Sequence, residues 1–196
     1  MKRSKQTITL GSGNLYISEF EGEIPENSAI ETSENLAGYI QGGASLEYKP
    51  EFYTAEDDLG KVKKNIITKE EAKMKSGIMT WNAETLSKLC STGRVKEENG
   101  IRTIKIGGID NNDNKNYIIH FVHKDSVDGD VRVTIVGKNT AGFTLAFAKD
   151  KETVIDAEFD AVPCDDEGTL IIYQEEIDVT TNEGESSEGE QVEEQA

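Results

Sequence analysis

The sequence has few of the residues that carry enzyme chemistry: 196 residues include two histidines, two cysteines and one tryptophan. His120 and His123 are three positions apart in a strand-like segment. Side chains alternate between faces along a strand, so these two cannot bind one metal ion together. Cys90 and Cys164 show no metal-ligand spacing, and we expect two free thiols. No GxSxG, P-loop or HExxH motif occurs. We therefore expect no enzyme activity, catalytic residue, cofactor or metal site.

Basic residues are also scarce: 21 Lys and Arg stand against 38 Asp and Glu, and the formal net charge is −17. This excess of acid argues against a protein that binds nucleic acid or an anionic membrane constitutively. No apolar run approaches the length of a membrane-spanning helix. Seven of the acids, and no base, fall within residues 178–196. That composition cannot offset the entropy lost on ordering, so we predict a disordered acidic C-terminal tail.

Alternation of apolar and polar residues is the dominant pattern and predicts a mainly β fold, an antiparallel β-sandwich or barrel. Residues 153–161 alternate most regularly. Phe143, Leu145 and Phe147 predict a further strand, with a turn of helix as the alternative. One short helix is predicted over residues 83–91, with Asn82 as its N-cap.

Residues 44–81 predict two long strands joined by a long loop. Leu46, Tyr48 and Phe52 share one face of the first strand. The loop, about residues 53–64, has acids first and bases after: Glu56, Asp57, Asp58, then Lys61, Lys63, Lys64. Such a hairpin is poorly shaped for a small-molecule site and well shaped to reach a neighbouring subunit.

The chain divides into three parts by composition. We interpret residues 1–35 as an N-terminal arm, for which a surface loop is the alternative, because an acidic stretch without periodicity follows two short strand-like pieces. Residues 36–177 form the predicted β domain. Residues 178–196 form the acidic tail.

Four segments of the chain resemble the major tail tube proteins of long-tailed (siphovirus-type) bacteriophages, especially those of phages and prophages of Gram-positive hosts. They are GSGNLYISEF (residues 11–20), EYKPEFYTAEDDLGKVKK (47–64), KSGIMTWNAETLSKL (75–89) and DAEFDAVPCDDEGTLIIYQEE (156–176). The resemblance covers nearly all of residues 5–177 in the family's order, without a single diagnostic motif. The acidic tail departs from the family's pattern.

The resemblance implies a β-sandwich with a flanking short helix that assembles with copies of itself into hexameric rings. Stacked rings form the tail tube, a channel for genome delivery, and one sheet of each subunit contributes to the β-barrel that lines it. The implied partners are other copies of the chain, a tape measure protein, and tail terminator and tip proteins. Phage DNA would pass through the lumen without specific binding, and no membrane binding is implied. The implied location is the virion tail, assembled in the cytoplasm of the bacterial host.

The resemblance also implies that the arm and the inter-strand loop bridge subunits and rings. In a head-to-tail contact, Glu56, Asp57 and Asp58 of one copy would meet Lys61, Lys63 and Lys64 of the next. An acidic lumen would repel DNA phosphates, which a basic lumen would bind. The candidate lining acids are Glu47, Glu51, Asp156, Glu158 and Asp160, with exposure to outer solvent as the alternative.

Two other functions fit the sequence pattern. The chain could form the inner tube of a contractile tail, a tailocin or a secretion-like apparatus. It could also be a β-sandwich adhesin or carbohydrate-binding module, a class that usually carries exposed aromatic residues.

Overall fold

The computed structural model describes Gln6 and residues 8–177, which form a mainly β structure built around one antiparallel sheet. The strands are β1 (Asn14–Glu19), β2 (Leu36–Gly38), β3 (Ile40–Glu56), β4 (Lys63–Ile78), β5 (Arg94–Glu98), β6 (Ile101–Lys105), β7 (Tyr117–His123), β8 (Val131–Asn139), β9 (Ile155–Val162) and β10 (Ile172–Glu175). The helices are α1 (Asn27–Ile30) and α2 (Ala83–Lys88). The predicted mainly β fold with antiparallel strands is confirmed.

Eight strands form the main sheet: seven follow the order β2-β1-β7-β8-β9-β4-β3, and the eighth, β10, pairs with β8. β9 pairs with the end of β8, from Val136, and β10 pairs with its beginning, from Val131 to Thr134. β5 and β6 form a separate two-stranded hairpin. This order leaves β3 as an edge strand of the main sheet.

One face of the main sheet carries the larger hydrophobic core. Its fully buried members are Leu15, Ile17, Met74, Ile78, Leu89, Ile119, Ile135, Ile155 and Phe159. Helix α2 packs on this face through Leu86, and it begins as predicted, because the Asn82 side chain accepts hydrogen bonds from the backbone N–H groups of Glu84 and Thr85, both at 2.9 Å. The two-stranded hairpin adds Ile104 to the same core.

The opposite face of the sheet has a second, smaller cluster, covered by residues 20–36. Ile30 of α1 packs there against Tyr16, Ile118, Val122 and Val136. Strand β7 is therefore covered on both faces.

A partly buried ion-pair cluster holds this cover in place. The carboxylate of Glu31, just after α1, accepts hydrogen bonds from Arg132 Nε at 2.6 Å and from Lys124 Nζ at 2.8 Å. Arg132 also contacts Asp130 at 3.1 Å and Glu176 at 3.3 Å, so the cluster joins α1, β8 and the end of β10. Burial alone raises the pKa of Glu31, but the two cations outweigh it and bring that pKa below its usual value.

The interpretation of residues 1–35 as an arm outside the core is wrong from Asn14 onward. β1 lies between β2 and β7, and Leu15 and Ile17 have no exposed surface. One partner of β1, strand β7, is about a hundred residues away in the chain, so the place of β1 in the sheet depends on tertiary pairing. Before β1, Ile8 and Leu10 are exposed. Contact between residues 8–13 and another copy stays a prediction.

Two further predictions differ from the structure. Phe143, Leu145 and Phe147 form neither a strand nor a helix, although the first two pack against the larger core. Helix α1 was not predicted, because its single turn has no side-chain cap and depends on the burial of Ile30. The acidic tail of residues 178–196 lies outside the described residues.

The Glu31 cluster yields a test of stability. We expect Glu31→Gln to lower the free energy of unfolding by about 2 kcal/mol at pH 7, because Arg132 and Lys124 both lose their charged hydrogen bonds to Glu31 and keep only those to Asp130 and Glu176. Since the folded state depresses the pKa of Glu31, this advantage of the native protein should be lost as the pH falls below about 4.5. Urea titrations at pH 7 and pH 3 measure both. Exposed Glu34→Gln is the control, and equal stability of the two variants at pH 7 would contradict the prediction.

Candidate assembly surface

Strand β4 has two neighbours over only part of its length. β9 pairs with it from Lys73 to Ile78. From Lys63 to Ala72, β3 is the only strand within the described residues that pairs with it. The β3–β4 pair therefore projects from the sheet as a two-stranded ribbon about 30 Å long, at about 3.3 Å per residue. We call this ribbon, residues 48–72, the projecting hairpin.

The projecting hairpin ends in an ordered six-residue turn. Asp57 pairs with Val62 through its backbone N–H, and its carboxylate accepts the Val62 N–H at 2.7 Å. This hydrogen bond, the largest influence on the group, lowers the pKa of Asp57. Gly60 has a φ of +67°, a conformation that favours glycine. Leu59 and Val62 are exposed at the tip.

Large apolar side chains cover both faces of the projecting hairpin. Tyr48, Phe52 and Ile67 lie on one face, and Tyr53 and Ile66 are opposite each other on the other face. All five are between 47% and 58% exposed. An exposed group of large apolar side chains marks a contact surface.

The outer edge of β3 adds a second binding feature, since no strand of the described chain pairs with it. Gly42 and Gly43, with φ of +79° and +77°, form a two-residue bulge between the pairs Gln41–Gly77 and Ala44–Ser76. Bulges distort an edge and hinder strand addition. The open edge beyond this bulge runs from Ala44 to Glu56, and it is interrupted at Pro50, which has no N–H to donate, and by a second register shift between Glu51 and Phe52.

The predicted loop of residues 53–64 is wrong in length, because β3 continues to Glu56 and β4 starts at Lys63. The strands stay paired through Tyr53–Ile66 and Thr54–Asn65, which the polar composition of the segment concealed.

The six predicted interface residues lie together at the end of the hairpin, and some already have partners within it. Glu56 pairs with Lys63 at 3.1 Å, and Asp57 stabilises the turn. Of the remaining three, Asp58 and Lys61 lie in the turn at the tip, and Lys64 lies in β4 opposite Ala55. Their contact with another copy stays a prediction.

All five predicted lining acids lie on one face of the β3–β4–β9 part of the sheet, as the pairings show. Lysines lie between them. This face, which we call the charged face, comprises Glu47, Lys49, Glu51, Lys69, Glu71, Lys73, Lys75, Asp156, Glu158 and Asp160. It carries six acids and four lysines, so it is only slightly acidic.

Ion pairs connect the lysines of the charged face to its acids. Lys73 Nζ lies 3.0 Å from both Glu158 and Asp160, and Lys75 Nζ lies 2.9 Å from Glu158. Hydrogen bonds donated by Lys75 and Lys73 lower the pKa of Glu158, and the hydrogen bonds that Lys73 donates to Asp160 and Glu158 raise the pKa of Lys73. The sequence predicted the acids but not the neutralising lysines.

The structure describes the surroundings of both histidines and both cysteines. His120 and His123 face opposite sides of β7, as predicted: the Nδ1 of His120 is 2.8 Å from Thr134 Oγ1, and that of His123 is 2.7 Å from the Ser12 carbonyl oxygen. Cys90 and Cys164 are free thiols. The described residues contain no group of three or more potential metal ligands, and no helix that could span a membrane.

Comparison with known proteins gives no relative: no family model matches the chain, and no curated protein sequence matches it. The functional argument therefore depends on the geometry of the chain itself.

The pattern of exposed apolar residues was only partly predictable. Tyr53, Ile66 and Ile67 fell within or beside the predicted loop and were not assigned to a surface. The adjacent isoleucines in a charged segment were the available signal. Their opposite orientation follows from strand alternation, and the register shift near Phe52, which tertiary pairing sets, decides which face each isoleucine occupies.

Because the large apolar side chains of the projecting hairpin are about half exposed, we predict that they do not stabilise the monomer. We expect Phe52→Thr with Ile67→Thr, which keeps strand propensity, to change the free energy of unfolding by less than about 1 kcal/mol. Met74→Ala, in the core at 1% exposure, should cost about 2–5 kcal/mol. Urea unfolding of dilute monomer measures both. A loss in the double variant as large as that of Met74→Ala would contradict this assignment.

Proposed function

We propose that this chain is a structural subunit that assembles with copies of itself into stacked rings, forming the tail tube through which a long-tailed bacteriophage delivers its genome. The observation that carries the proposal is the projecting hairpin, which leaves five large apolar side chains and an open strand edge outside the fold of its own chain.

An isolated two-stranded ribbon is marginally stable in water, and exposed apolar surface adds to its cost. Packing against a neighbouring copy would bury both apolar faces at once. The open edge from Ala44 to Glu56 would add backbone hydrogen bonds in the manner of strand addition. Both features favour an assembled form in which identical subunits repeat around a ring.

The charged face suits a channel wall that does not hold DNA. DNA binding gains its strength from cations that neutralise phosphates and release counterions. Here Lys73 and Lys75 are already paired with acids of β9, and Lys69 is paired with Glu71. Pairing leaves few cations available to phosphates, so a duplex could slide past. The charged face favours the passage of DNA because Lys69, Lys73 and Lys75 are paired with acids and the face keeps a small excess of acid.

A carbohydrate-binding or adhesin function has one observation in its favour, the exposed aromatic residues Tyr48, Phe52 and Tyr53. Tyr53, however, faces away from the other two, so they do not form one stacking surface for a sugar. The inner tube of a contractile tail or secretion-like apparatus would use the same assembly surface. A sheath protein encoded nearby would favour that variant of the proposal.

Electron microscopy of the concentrated purified protein tests the proposal. We expect rings or tubes with a central channel, and we expect Phe52→Thr with Ile67→Thr to abolish them. The matched control is Val127→Thr with Ile109→Thr, at exposed apolar positions outside the hairpin. A wild-type protein that stays monomeric at every concentration would overturn the proposal, as would normal tubes from the hairpin variant.

The charged end of the hairpin offers a separate test. Lys61→Glu with Lys64→Glu should weaken assembly if these bases meet acids of the next copy. These positions are preferable to Lys63, whose reversal would place two acids opposite each other at the Glu56 pair. Sedimentation velocity at low and high salt measures the effect. Wild-type assembly by the variant at low salt would rule out the head-to-tail charge contact.

A further inference from the structure

The outward face of the β5–β6 hairpin brings bases together in a strongly acidic chain. Arg94 and Lys105 are direct cross-strand partners, so their Cβ atoms are about 5 Å apart. Lys96 lies two residues from Arg94 on the same face. The next pair, Val95 and Ile104, points the other way, where Ile104 packs against the larger core. The bases therefore point away from the body of the protein.

Two of these three bases have no acidic partner among the described residues. Lys96 pairs with Glu98 at 2.8 Å, but neither Arg94 nor Lys105 has a carboxylate within ion-pair distance among the residues that the structure describes. Arg94 donates a hydrogen bond to the Gly107 carbonyl at 3.1 Å. Like charges directly opposite in a ladder destabilise it, so an anionic group bound between them would stabilise the hairpin.

We propose that the acidic C-terminal segment, residues 178–196, docks on this basic face of its own chain. The segment contains seven acids and no base, and it begins directly after Ile177, the last described residue. Nineteen residues reach about 60 Å when extended, whereas a compact domain of this size has a radius of gyration of about 16 Å. Tethering also gives the segment an effective concentration of about millimolar at the face.

Other exposed lysines are poorer sites for this segment because acids adjoin them. Lys61 lies in the turn that contains Asp58, and Lys149 and Lys151 flank Asp150. Only at the Arg94–Lys105 pair, within the described chain, do two bases without ion-pair partners face each other across a ladder. Among the described residues, charge complementarity therefore favours the β5–β6 hairpin.

Docking of this kind needs no fixed structure in the segment, because it rests on charge and is weakened by salt. Its consequence is that the segment covers bases that would otherwise attract external polyanions. The inference is independent of the tube proposal, since it concerns a single chain.

Photo-crosslinking of the full-length protein tests this docking. A benzophenone amino acid replaces Thr103, which lies on the outward face opposite Lys96, and a second probe at Glu98 guards against misfolding of the first. Illumination at low micromolar concentration should give a product of monomer size. Mass spectrometry of its C-terminal tryptic peptide should place the crosslink within residues 178–196.

Charge variants decide whether the contact is the proposed one. We expect Arg94→Glu with Lys105→Glu to reduce the crosslink at least fivefold, and 0.5 M salt to reduce it severalfold. Lys149→Glu with Lys151→Glu makes the same change in net charge elsewhere and should leave the yield unchanged. An unchanged yield in the first variant, crosslinks confined to residues before 178, or product only at the size of two chains would overturn the proposal.

Discussion

The change in the surroundings of β4 along its length is the constraint on which the rest of the structure depends. Between Lys73 and Ile78 the strand lies between β3 and β9, so Met74 and Ile78 are buried in the larger core. Between Lys63 and Ala72 the strand keeps only β3 as a partner among the described strands. Apolar side chains that alternation would bury are therefore exposed there on both faces. One strand thus supplies part of the core at one end and the candidate assembly surface at the other.

The same strand arranges the charges. Because β4 lies between β3 and β9, its lysines lie between the acids of these two strands, and Lys73 and Lys75 form ion pairs with those of β9. Lys73 makes this clearest, since it lies opposite Glu47 on one side and contacts Glu158 and Asp160 on the other. A face that looks acidic in sequence is therefore nearly balanced, and any channel formed by it would act by locally paired charge more than by repulsion.

The remaining surfaces serve separate roles. The Glu31 cluster fastens the cover over the smaller core at the face opposite α2. The β5–β6 hairpin packs against the larger core through Ile104 and presents Arg94 and Lys105 outward. The proposed assembly through the projecting hairpin and the proposed docking of the acidic segment involve different residues, so variants can test each without the other.

The sequence by itself determined the features that depend on neighbouring residues. Alternation placed Ile155, Ala157 and Phe159 in the core, and Asn82 marked the start of α2, because strand and helix periodicity and capping are local. Tertiary structure decided the rest. The burial of Leu15, the lysines beside the predicted acids and the exposure of Phe52 and Ile67 depend on strand order and register, which are set by pairing between distant segments.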